Sequence, residues 1–150
     1  MSHGVYKMTK TILKIPPRLD NWRGRLSIFI NTCRDKKFSE SDFNCGIFIG
    51  GAIEAETGVN PCGPVGPYNT INQGLYNLKS MGYGSIEKYL DDILTPHVHF
   101  SRASEGDIAL IQVNKELVGG VITHGRVIML GVEKGIVSIN TDKVKKAYKV

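Results

Sequence analysis

At Asp107 the sequence changes its period. Before it, apolar residues recur every three or four positions. After it come short runs rich in β-branched residues, DIALIQV (107–113), LVGGVIT (117–123), RVIML (126–130) and GIVSI (135–139), separated by the turn material VNKE, HGR and GVEK. Helical spacing followed by hairpin-spaced strands argues for an α+β domain in which helices cover one face of a small antiparallel meander. With 150 residues the chain is long enough to bury a real core but short for two, so 1–150 is read as a single domain.

The helical part is written in caps and stops. Pro16 and Pro17 precede Leu19, Trp22, Leu26, Phe29, Ile30 and Cys33, which line one face of a helix of about 16 residues. After the polar run RDKKFSESD, a second stripe follows through Cys45, Phe48, Ile49, Ala52 and Ile53. Asn44 or Asp42 stands at its N-cap and Gly58 at its end. Gly50 and Gly51 inside this helix cost about 1 kcal/mol each relative to alanine, which implies a neighbour packed close to the backbone. NPCGPVGPY (60–68) reads as a loop carrying Cys62 as a bystander. Thr70 and Gln73 form a capping box for a helix with Ile71, Leu75 and Leu78 that Gly82 ends, and Ser85 caps a fourth helix with Ile86, Tyr89, Leu90 and Ile93.

Charge and cysteine usage narrow the setting. The net charge of +5 suits an anionic partner, but its modest size reads first as solubility. Cys33, Cys45 and Cys62 show no CxxC or Cys/His spacing of a zinc site or a disulfide framework, which suits synthesis in a reducing cytoplasm. MSHGVYKMTKTILKI breaks its apolar pieces with lysines, so residues 1–14 read as a flexible or partner-binding arm, with His3 in it, and no window approaches a membrane span.

The order of these pieces resembles the NlpC-type cell-wall hydrolases, compact papain-like cysteine peptidases. More closely it resembles a group of small phage proteins of this fold, of unassigned function, encoded among tail genes. The stretches that carry the likeness are the Trp22 helix, KKFSESDFNCGIF (36–48), Thr57 with Gly58, the Tyr68 loop before GLYNLKSMG (74–82), and EGDIALI (105–111). The resemblance spans about Leu19 to Tyr148. It implies a papain-like fold with Cys45 as the catalytic candidate, at a helix start where free backbone amides and the helix dipole favour an anion. It also implies a base histidine at the start of the strand after the Gly-Asp strand, oriented by a polar residue on the next.

This sequence departs from that pattern. The strand begins Leu117, Val118, Gly119, and RVIML has no polar interior residue. His124 falls in the turn at the strand's far end, about six residues and roughly 20 Å away. His97 and His99, in TPHVHF, read as solvent-exposed loop histidines without a third metal ligand. Cys45 therefore has two readings: a nucleophile without an evident base, or a buried apolar thiol beside Phe48 and Ile49.

The remaining candidates carry less. GGAIEAETG and VGGVITHG lack the context of a nucleotide site. TDKVKKAYKV reads as a charged solvated tail rather than a nucleic-acid contact, Asp91 and Asp92 sit on an exposed helix side, and Asp107 caps a turn at the strand entrance. No cofactor or metal is expected. What the resemblance implies is a virion protein, made in the host cytoplasm, that serves as a structural module of the distal tail or tail tip and is held by other tail proteins. The alternative is a cysteine peptidase or amidase that cleaves peptidoglycan stem peptides during genome delivery.

Overall fold

A computed structural model describes residues 13–131 and 135–150. The expected arm up to residue 12, with His3, and most of the GVEK turn lie outside the described residues. The chain forms α1 (Trp22–Cys33), α2 (Cys45–Thr57), α3 (Ile71–Ser80) and α4 (Ile86–Ile93), then β1 (Thr95–Pro96), β2 (Ile108–Val113), β3 (Glu116–Thr123), β4 (Arg126–Leu130), β5 (Ile136–Asn140) and β6 (Val144–Lys149). It is an α+β protein, with the helices packed on one face of a curled antiparallel sheet.

The helix boundaries follow local chemistry. Asn44 is the N-cap of α2, its side chain accepting from Ile47 N–H at 3.0 Å, and Gly58 closes the helix in the left-handed region at φ 86. Thr70 and Ser85 accept from the Gln73 and Lys88 amides in the same way. The close packing expected at the two α2 glycines is present. A side-chain carbon on Gly50 would meet Cys62 Sγ at 2.6 Å, and one on Gly51 would run into the Phe29 ring. α1 starts later than the prolines suggested. Residues 13–19 instead form a strap without regular structure, whose Leu19 N–H donates to the Glu56 carbonyl at 2.8 Å.

The meander β2-β3-β4-β5 is as expected, but the sheet order is β1-β6-β2-β3-β4-β5. The reading of TDKVKKAYKV as a solvated tail is therefore corrected, because β6 is inserted between β1 and β2. Its pairing with β2 shifts register between Leu110 and Ile111, leaving Lys145 without an opposite residue, a bulge that hides the alternation. Val144, Ala147 and Tyr148 are buried while Lys145 and Lys149 face solvent.

The sheet buries apolar side chains on both faces. Ile108, Leu110, Val121 and Tyr148 join the helices in the main core. Ala109, Ile111, Ile122, Val127, Val144 and Ala147 fill a second cluster. That explains why β2 reads IALI with no polar alternation. Gly119 lets α2 approach β3, since a side-chain carbon there would lie 2.9 Å from Ile49. No helix among the described residues is long and apolar enough to cross a membrane.

Candidate functional site

The head of α2, the loop 60–68, α3, α4 and the start of β3 enclose a groove of about 790 Å3. Cys45 is the first residue of α2 and is half-buried on this groove. Its position follows from the cap. Asn44 is almost fully buried, its amide donates to the Glu40 carbonyl at 2.7 Å and to Tyr68 Oη at 3.0 Å, and these bonds fix where the helix begins. Cys45 is thus held on a rigid element at the groove wall.

The rest of the lining is mainly aliphatic and aromatic. At the start of β3, where the resemblance calls for an imidazole, Leu117 and Val118 line the groove. Among the described residues, no histidine lines the groove. The three described histidines are engaged elsewhere. His97 Nε2 lies 2.9 Å from Asp107 Oδ2, His99 accepts from Ser101 N–H to start a short 3-10 turn, and His124 sits in the β3–β4 turn with its amide donating to Glu105. His97 is half-buried against a carboxylate, which corrects its reading as a solvent-exposed loop residue.

Cys62, read from sequence as a bystander, lines the same groove. Its thiol donates to the Gly46 carbonyl at 3.4 Å, and Asn60 fixes its backbone through Cys62 N–H to Oδ1 at 2.8 Å. Burial pushes this thiol up to about 11, and the neighbouring Glu54 and Cys45 push in the same direction. At neutral pH Cys62 is a neutral thiol. Tyr89, whose hydroxyl donates to the Pro61 carbonyl at 2.6 Å, is pushed up to about 12, mainly by burial. Both groups shape the groove, and neither is a base. Sequence reasoning missed this layer because nothing in NPCGPVGPY sets Cys62 apart from an exposed loop cysteine until Gly50 brings the loop onto α2.

The Gly-Asp pair before β2 has a fuller role than a turn cap. Asp107 is buried and accepts from Arg18 Nη2 (2.9 Å), Ser104 N–H (3.0 Å) and Val150 N–H (3.2 Å), besides its contact with His97. It therefore ties the strap, the strand entrance and β6 together. Asp91, expected on an exposed helix side, is half-buried beneath Lys146 and Tyr148. Among the described residues no group of three or more His, Cys, Asp or Glu side chains is placed to hold a metal ion.

These features define a class: an α+β protein with a thiol-bearing apolar groove at the head of a helix and, among the described residues, no imidazole in that groove. The chain belongs to the family described as a domain of unknown function (DUF6950), whose model matches residues 17–150. No curated protein matches it.

Proposed function

We propose that this protein is a phage tail component, a binding and assembly module of the distal tail or tail tip, built on a papain-like scaffold that lacks a cysteine–histidine pair. The observation that carries this reading is the groove wall, where Leu117 and Val118 stand at the start of β3 and, among the described residues, no histidine lines the groove beside Cys45. The likeness in motif order to small phage proteins encoded among tail genes supplies the setting. Loss of a general base removes a factor of about 10² to 10⁴ in rate, so the groove is better suited to holding a partner than to cleaving one. Its apolar lining fits a hydrophobic segment of a hub or distal tail protein.

A second reading has one observation in its favour. Cys45 is half-buried rather than sealed in the core, at a helix start and on an open groove, which is where a peptidoglycan peptidase or amidase would keep its nucleophile. The two readings separate under Cys45→Ala. In the assembly reading the purified variant binds neighbouring tail components with affinity within about twofold of the native chain, as expected for a small volume-reducing change at a wall. Tails that form normally with the variant but no longer digest the wall or infect would overturn it.

A further inference from the structure

The sheet ends on two unequal edges. One is β1, two residues long and closed by Pro96, and the other is β5, IVSIN, which pairs only with β4. The phase of its hydrogen bonds is fixed from both ends of β4. His124 and Gly125, both at positive φ, make a two-residue turn, so Thr123 and Arg126 are the bonded pair of that hairpin. Arg126 therefore spends its backbone groups on β3, and Val127 and Met129 turn theirs to β5. At the far end Gly131 N–H donates to the Gly135 carbonyl at 3.0 Å, which gives the same phase. Val137 and Ile139 thus bond back to β4, while the backbone groups of Ile136, Ser138 and Asn140 point away from the sheet. None of these three outward N–H groups has an acceptor among the described residues.

Open edges of this kind are usually blunted by a charged residue or a proline of the strand itself, and β5 has neither. Its one charge is lent by β4. Arg126 Nε donates to Ser138 Oγ at 2.5 Å, Nη1 to Asn140 Oδ1 at 2.7 Å and Nη2 to the Ser138 carbonyl at 3.2 Å, so the exposed guanidinium lies across β5 at the open edge. A guanidinium has further N–H groups to give, and no carboxylate pairs with this one among the described residues. The other side of the strand is apolar. Val137 is 45 % exposed there, beside Ile139, which packs on the second cluster.

We propose that β5 is the docking edge for an extended segment of a partner protein, one with an aspartate or glutamate on the Ser138 side and β-branched residues on the Val137 side. The added strand takes the outward amides, its carboxylate takes the spare N–H groups of Arg126, and its apolar residues cover Val137. A second copy of this chain does not fit. Antiparallel pairing of β5 with itself about Ser138 sets the two Arg126 guanidiniums over strands about 5 Å apart, like charge facing like charge. β5 does not line the groove, so the edge stands whichever role Cys45 has.

The probe is a capped peptide that alternates valine with threonine and carries one glutamate at its centre on the threonine face, with a glutamine version beside it. Amide exchange followed by NMR is expected to slow at Ser138 and Asn140 by about tenfold or more under saturating glutamate peptide. The glutamine peptide is expected to bind about tenfold more weakly, the weight of one hydrogen bond to a charged group. Arg126→Gln should bind both peptides alike. Ser138→Pro should keep the native fold, because the N–H it removes points to solvent, and should bind neither peptide. Equal affinity of the native chain for the two peptides, no added protection at Ser138 and Asn140, native-like binding by Ser138→Pro, or a glutamate preference that survives in Arg126→Gln would each overturn the proposal. So would protection of those amides in the free monomer, which would mean that the chain covers its own edge, or a native dimer paired through β5, which would put a second copy there. If Ser138→Pro does not fold, the two peptides and Arg126→Gln decide the question alone.

Discussion

Gly106→Ala is expected to destabilise the fold by about 3 kcal/mol or more, a large share of the roughly 5–15 kcal/mol that holds a domain together. Two independent costs meet at this position. Gly106 has φ +85, a conformation in which a side-chain-bearing residue carries strain of about 1–3 kcal/mol. The added carbon would also meet Trp22 Cζ3 at 2.7 Å and Arg18 Nη2 at 2.9 Å, besides Glu56 Oε1, and overpacking of this kind costs about 1–3 kcal/mol more. The backbone is not free to move aside, because Gly106 N–H donates to the Ile122 carbonyl at 2.7 Å. Gly84→Ala is the control: a carbon there meets nothing within 4 Å, so the change should be close to neutral. Urea unfolding of the two variants checks this, and a loss below about 1 kcal/mol for Gly106→Ala would contradict it.

Tyr148→Ala should cost on the order of 3–5 kcal/mol, as other truncations of large core aromatics do. Tyr148 is 0 % exposed, and its hydroxyl donates to Asp91 Oδ1 at 2.7 Å, so the substitution opens a cavity between β6 and α4 and removes a partly buried hydrogen bond. Tyr148→Phe keeps the ring and loses only that bond. Asp91 retains Lys146, so about 1 kcal/mol is expected. Equal effects of the two variants in chemical denaturation would show that the ring is not part of the core.

What could be read from the sequence divides along physical lines. The start and end of α2 were legible because caps are local: an asparagine that satisfies an amide three residues on and a glycine that accepts positive φ need only their neighbours. β2 to β4 were legible because tight turns separate contiguous apolar runs. β6 was not. Its lysines suggested solvent, its buried residues include only one large side chain besides Val144, and the bulge at Lys145 breaks the period of two. The lesson at Glu56 is similar. A glutamate near the end of an apolar helix reads as ordinary surface until the strap folds back over it with Arg18. The groove was half visible. Cys45 and the aliphatic start of β3 could be placed from sequence, whereas Cys62 became part of the wall only through the close approach of its loop at Gly50.

Both functional readings turn on whether Cys45 has a proton acceptor, and a direct assay separates them. Purified peptidoglycan is incubated with the native chain and with Cys45→Ala, and released amino groups and turbidity are followed over hours. The aliphatic wall at Leu117 and Val118 predicts that the two proteins are indistinguishable and that neither solubilises the polymer. Digestion by the native chain that disappears in Cys45→Ala would contradict the account and make the groove an active site.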